Sequence, residues 1–145
     1  MKRSLLLILT LALAATACGD DNGDSAAAAP DGIQITSTDL GDVLADPEGN
    51  VLYLFVPDNQ GPSVCEGGCA ENWPPLTESL AAGDGADGSL LGTVARPDGT
   101  PQLTYNGWPL YYFAGDDAPG DTNGQGINDV WFVIDAAGGA VVAGE

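Results

Sequence analysis

Residues 51–58 read Val51-Leu52-Tyr53-Leu54-Phe55-Val56-Pro57-Asp58, and residues 109–116 read Pro109-Leu110-Tyr111-Tyr112-Phe113-Ala114-Gly115-Asp116. The second stretch echoes the first at an offset of 58 positions. Gly49 meets Gly107, Leu52-Tyr53 meets Leu110-Tyr111, Phe55 meets Phe113, Asp58 meets Asp116, and Trp73 meets Trp131, all without a gap. Rare residues such as Trp and Tyr recurring in register are hard to attribute to chance. Two related units packed about a pseudo-twofold are the simplest physical reading. Alternate positions on a strand share a face, so Tyr53 lies with Phe55, and Tyr111 with Phe113.

Each unit opens as a hairpin. In the first, 43–45 and 51–56 flank Asp46-Pro47-Glu48-Gly49-Asn50. In the second, 102–105 and 109–113 flank Asn106-Gly107-Trp108. Proline presets φ, and Asn or Gly tolerates positive φ, so both connections are turn signals. Further strands are expected at 33–36, 91–95 and 130–134, with Val141-Val142 beyond a turn at Gly138-Gly139. Arg96-Pro97-Asp98-Gly99-Thr100 is expected to turn 91–95 back onto 102–105. No segment beyond the N-terminal leader carries a sustained helical period, and 21 Gly and 10 Pro punctuate the chain. The fold class is therefore all-β: a small single domain of two hairpin-based repeats. A short helix has room only around 65–72 or 37–44.

The N-terminus supplies an address. Lys2 and Arg3 precede an apolar run from Leu5 to Leu13, and the small residues Ala14-Ala15-Thr16-Ala17 lead into Cys18. This is the three-part plan of a secretory signal. With a cysteine at its exit it resembles a bacterial lipoprotein signal, which implies lipidation of Cys18 as the new first residue. The thirteen residues to Ala17 are too few for a span, which needs about 20. Residues 1–17 thus read as signal peptide and 18–31 as a lipidated tether. The tether lacks aromatic and large aliphatic side chains, so it cannot offset its ordering entropy. It holds the domain on average about 20 Å from the surface. Residues 32–145 form the domain, placed on the extracytoplasmic face of the envelope.

Cleavage before Cys18 leaves Arg96 as the one base against 21 acids. Such a surface excludes nucleic acid, whose binding depends on Lys and Arg meeting phosphates. Anionic headgroups repel it as well, so contact with the membrane rests on the acyl chains.

Lipidating Cys18 leaves an even pair, Cys65 and Cys69. In an oxidising space a disulfide is the default, and Gly67-Gly68 lets the chain turn between them. Redox exchange through this pair is the sharper alternative. The neighbours Glu66 and Glu71 oppose it, because negative charge raises a thiol pKa.

The absences restrict catalysis. The chain has no His, and its only Lys lies in the leader, which removes the usual bases for Ser or Cys nucleophiles. No phosphate-binding or dinucleotide fingerprint occurs. No metal or cofactor site is assigned, although the oxygen-rich loop 116–129 offers a calcium option without EF-hand spacing. Carboxylates alone can run glycoside hydrolysis, and Asp58 and Asp116 are the equivalent pair. Their simpler role is to bond the turn that ends each strand. Trp108 and Tyr112, if exposed, offer a sugar- or protein-binding face.

The motif residues are Tyr53, Phe55, Asp58 and Trp73, with their counterparts Tyr111, Phe113, Asp116 and Trp131. At these positions the chain resembles the bacterial lipoproteins described as secreted repeats of unknown function, marked by Tyr-x-aromatic-x-x-Asp. Ser63-Val64-Cys65-Glu66-Gly67-Gly68-Cys69-Ala70-Glu71-Asn72-Trp73-Pro74-Pro75 is similar to the family's Cys-x-x-x-Cys-Ala-x-x-Trp-Pro segment, and the stretch 105–111 fits as well. The likeness covers about residues 43–134. It implies a lipoprotein and carries no activity with it. The expectation is a lipid-anchored, non-enzymatic binding module, contacting the membrane through its lipid and an envelope protein or glycan through its domain. The alternatives are thiol or electron transfer through Cys65–Cys69 and, more weakly, a carboxylate-based glycosidase.

Overall fold

The computed structural model describes residues 31–142. The signal segment, Cys18 and nearly all of the tether lie outside the described residues. Seven strands follow in order: β1 (Gln34–Thr38), β2 (Gly41–Ala45), β3 (Tyr53–Phe55), β4 (Leu91–Ala95), β5 (Pro101–Tyr105), β6 (Trp108–Pro109) and β7 (Trp131–Val133). One short helix, α1 (Gly68–Asn72), falls within the segment expected to allow it. The other helical option, 37–44, is instead the β1–β2 hairpin, with Thr38 opposite Gly41. Thr36, Thr38 and Val43 are β-branched residues that favour a pleated surface, and Gly41 turns the chain at φ +100°.

Both repeat hairpins form, with the first strand of each longer than expected and the second shorter. Asn106 and Gly107 take φ of 52° and 81°, the paired positive values of a type I′ turn. Trp108 accordingly belongs to β6 and not to the turn. In the first unit Ala45 bridges Val51, and the Leu52 amide donates to Leu44 O at 3.0 Å. The strand expected to reach Val56 stops at Phe55, where Pro57 opens a 3-10 turn over Val56–Asp58. β4 and β5 pair as expected around the 96–100 turn.

The two units are interleaved. β3 of the first pairs antiparallel with β7 of the second, with Tyr53 opposite Val133 and Phe55 opposite Trp131. The counterpart places Tyr111 of the second unit opposite Pro75 of the first. At the join, the Tyr53 amide donates to Tyr111 O at 2.9 Å and the Tyr111 amide donates to Tyr53 O at 3.0 Å. These residues are 58 apart, so the reciprocal pair marks the local twofold. Flanking bonds repeat the relation: Val56 N donates to Val130 O at 2.9 Å, and Ala114 N to Asn72 O at 2.9 Å.

The central strands are covered on both faces, which explains the unbroken apolar run 51–55, whereas Val56 beyond it is exposed. Leu44, Leu52, Leu54, Leu76, Leu103, Leu110 and Ile134 form an aliphatic cluster with Ile33 and Tyr105. Val43, Val51, Tyr53, Cys65, Trp73, Tyr111, Trp131 and Val133 form an aromatic-rich one. Along β3 the period of two sends Leu54 to the first and Tyr53 with Phe55 to the second. Each fully buried leucine contributes about 2 kcal/mol of transfer free energy. Among the described residues no helix is long and apolar enough to cross a membrane.

Candidate functional site

The eight motif residues converge on the twofold. Trp73 and Trp131 stack face to face, with centroids 3.8 Å apart and planes 1° from parallel. Phe55 stacks on the outer face of Trp131 at 4.2 Å, and Phe113 on that of Trp73 at 4.4 Å. The result is a four-ring column running Phe55–Trp131–Trp73–Phe113. Each tyrosine meets its own unit's tryptophan edge-on, Tyr53 with Trp73 at 5.2 Å and Tyr111 with Trp131 at 5.1 Å. Such aromatic pairs add about 1 kcal/mol each beyond the area they bury.

The aspartates are exchanged between units. Tyr53 donates its phenol to Asp116 Oδ2 at 2.6 Å, and Tyr111 donates to Asp58 Oδ2 at 2.6 Å. The second oxygen of each carboxylate fixes the loop that follows it. Asp58 Oδ1 accepts from Val64 N at 2.8 Å, and Asp116 Oδ1 from Asn123 N at 2.9 Å. The expected bond to the turn that ends each strand is thus replaced by one to a residue six or seven positions on. Both phenols also bridge to those loops. Gly124 N donates to the Tyr53 oxygen at 3.2 Å, and Ser63 Oγ lies 2.6 Å from the Tyr111 oxygen.

Burial sets the electrostatics here. It raises Asp58 above the ordinary aspartate value, against the lowering bonds from Tyr111 and Val64 and the charge of Arg96. Burial likewise raises Asp116, opposed by bonds from Tyr53 and Asn123. Tyr53 and Tyr111 are pushed far up, first by burial and then by the bonded carboxylates. These carboxylates are hydrogen-bonded parts of the frame, and the glycosidase option has no support in this arrangement.

The structure bears on two options raised by the sequence in this region. Tyr112 and Trp108 are half-buried against the aliphatic cluster, and Tyr112 donates to Asp46 Oδ2 at 3.0 Å. They do not form an exposed aromatic face. Burial raises Tyr112, and the charge of Asp46 adds to the effect. In the 116–129 loop, Asp121 Oδ2 accepts from the amides of Asp117 and Ala118 at 3.0 and 2.9 Å. Its oxygens act as turn caps, and no metal-holding cluster occurs among the described residues.

Cys65 and Cys69 form the expected disulfide, with Cα atoms 5.3 Å apart. Cys65 is fully buried in the aromatic cluster, and Cys69 O accepts from Trp73 N at 2.8 Å. The bridge therefore anchors α1 just before the stacked tryptophan. Arg96, absent from the sequence-based site, completes the anchor. Its guanidinium donates to Cys65 O at 2.7 Å, Gln102 Oε1 at 2.8 Å and Ser63 Oγ at 3.2 Å. A lone base amid so many acids reads as a surface charge, yet it is buried. No spacing rule marks such a residue.

The exchange of tyrosines and aspartates has no local signal: Tyr and Asp stand five positions apart in each motif, but the strand that starts at Tyr53 ends at Phe55 and a 3-10 turn carries Asp58.

A two-repeat β module, locked at its twofold by exchanged tyrosine–aspartate bonds and a tryptophan pair, is the class that this geometry defines. The model of a family described as secreted repeat of unknown function matches twice, over residues 34–77 and 92–135. The chain belongs to that family. The two matches stand at the same 58-residue offset as the motif residues, and they suggest an extracellular protein. No curated protein and no solved structure matches the chain.

Proposed function

We propose that the protein is a lipid-anchored module of the cell envelope that works by non-enzymatic binding. One observation carries this reading: the groups able to do chemistry are engaged in holding the fold. Both oxygens of Asp58 and of Asp116 accept internal bonds. Arg96 and Cys65 are buried, and no buried side-chain polar atom of the described residues lacks a partner. What faces outward is a strongly acidic surface, suited to presentation.

Two measurements test it. Intact mass of the wild type and of Cys18→Ser reads the anchor, and an unacylated wild type removes it. For binding, the chain beyond its leader has no lysine, so amine-directed cross-linkers miss its side chains. Carboxylate-to-amine coupling in the native envelope suits its many acids. The expected result is discrete heteromeric adducts; their absence would overturn the binding role. The thiol-exchange alternative predicts a disulfide in equilibrium with a glutathione buffer. A structural bridge stays oxidised there.

A further inference from the structure

The pseudo-twofold breaks at one edge. β1 and β4 are equivalent strands, and in each the alternate residues turn their backbone groups away from the hairpin partner. In the first unit those groups are covered by the chain that links the repeats. Ile33 N donates to Ala81 O at 2.8 Å, Ile35 N donates to Asp84 O at 2.8 Å, and Gly83 N donates back to Ile33 O. Ile33 and Ala82 form a parallel bridge.

The equivalent residues of the second unit are Leu91 and Thr93. The Leu91 amide turns into the preceding 3-10 turn, donating to Gly88 O. The Arg96–Thr100 and Leu90–Asn106 bonds set the alternation of the β4–β5 ladder. They leave the amides of Thr93 and Ala95, and the carbonyls of Leu91, Thr93 and Ala95, pointing outward. None of these five groups meets a partner among the described residues. Natural edges are blunted by lysine, proline, bulges or an inward charge. β4 reads Leu-Gly-Thr-Val-Ala and carries none of these.

We infer that the open edge of β4 is a docking site for an extended basic segment of another protein, added as a strand. This deepens the binding role proposed above and rests on it. The first unit supplies the template, since the linking chain bonds the Ile33 carbonyl and the Ile35 amide there, the equivalents of the open Leu91 carbonyl and Thr93 amide. Charge selects the occupant. Asp87 stands just before the strand and Asp98 in the turn after it. Hydrogen bonds from Ser89 and from the Thr100 amide hold their carboxyls below the usual range, so both are ionised at neutral pH. Arg96, the nearest base, is buried in the core. The site is thus a neutral strand about 17 Å long with an acid beyond each end. A segment with uncharged β-branched residues flanked by Lys or Arg complements it. A second copy does not: antiparallel pairing about Thr93 sets the Asp98 end of one chain against the Asp87 end of the other. The high like charge of the two copies adds to that repulsion.

The test uses the full chain in detergent and the probe peptide Lys-Thr-Val-Thr-Val-Thr-Lys, with amide hydrogen exchange resolved by residue. The peptide should slow exchange at Thr93 and Ala95 by about tenfold or more. Thr93→Pro should abolish that effect with the melting temperature kept, because this amide donates no bond among the described residues. Asp87→Asn with Asp98→Asn keeps both caps, removes both charges and should weaken binding several-fold in low salt. Three results would overturn the proposal. One is protection elsewhere or nowhere. Another is protection of Thr93 and Ala95 before peptide is added, which means the chain's own segment covers the edge. The third is protection that grows with protein concentration, which means a second copy does. Envelope cross-linking separates the two readings. Adducts that persist in Thr93→Pro sink the edge site and leave the binding role, whereas a wild type without adducts sinks the role itself.

Discussion

The exchanged tyrosine–aspartate bonds predict an unequal cost for two formally equivalent substitutions. Tyr111→Phe removes the phenol from Asp58, which is only 4% exposed, and from Ser63, 2% exposed. Water cannot replace either bond. A hydrogen bond to a charged group contributes about 1.5–3 kcal/mol, and stranding a buried polar partner costs about 1–3 kcal/mol. The expected loss is therefore about 3 kcal/mol. Tyr53→Phe removes the same phenol from Asp116, but Asp116 is half-exposed and rehydrates. The remaining cost is the buried Gly124 amide, whose bond to Tyr53 is long at 3.2 Å. That loss is about 1–2 kcal/mol. Urea unfolding under oxidising conditions measures both, and for a domain of this size each kcal/mol moves the melting temperature by about 4 °C. A double-mutant cycle of Tyr111→Phe with Asp58→Asn should show coupling of about 1 kcal/mol or more. Equal losses for the two tyrosines, or a Tyr53→Phe loss exceeding that of Tyr111→Phe, would refute the argument from burial.

Acidity, the disulfide and one close contact yield three more predictions. Asp58 and Asp116 have folded values above the ordinary aspartate value, so the native state binds their protons more tightly. Their stabilising contribution is full below the ordinary value and is lost as pH rises through the folded one. The melting temperature should therefore climb as pH is lowered from neutral toward the ordinary aspartate range, and Asp58→Asn should flatten that climb relative to wild type. Replacing Cys65 and Cys69 together by Ala should cost about 2 kcal/mol from loop closure alone, read as a lower urea midpoint that reductant no longer changes. A Cβ on Gly124 would lie 2.6 Å from the Trp73 ring. Gly124→Ala should therefore destabilise by about 1–3 kcal/mol and perturb the near-ultraviolet circular dichroism of the stacked tryptophans.

How much of this was legible in the sequence depends on the range of the interaction. Local rules placed β4, β5 and the two hairpins, because Asn106-Gly107 and Arg96–Thr100 dictate their own backbone. The alternation within Tyr53–Phe55 placed both rings on one face. Local rules misread 37–44, where the β1–β2 pairing and Gly41 decide in favour of strand. They also overextended 51–56, because Val56 continues the apolar pattern while Pro57 ends the ladder. Recurrence at 58 residues announced two units without saying that they interleave. Interleaving sends each tyrosine to the other unit's aspartate and brings Trp73 onto Trp131, contacts that span 53 to 63 positions and leave no local trace. Arg96 and the open edge of β4 lay furthest from view for a related reason. Each departs from the repeat: Arg96 stands where the first unit has Thr38, and among the described residues the linker that covers β1 has no counterpart over β4. Symmetry read from the sequence predicts what the two halves share. A partner that must choose one half of a two-fold module can use only what the halves do not share, and because Arg96 is buried that leaves the proposed edge of β4.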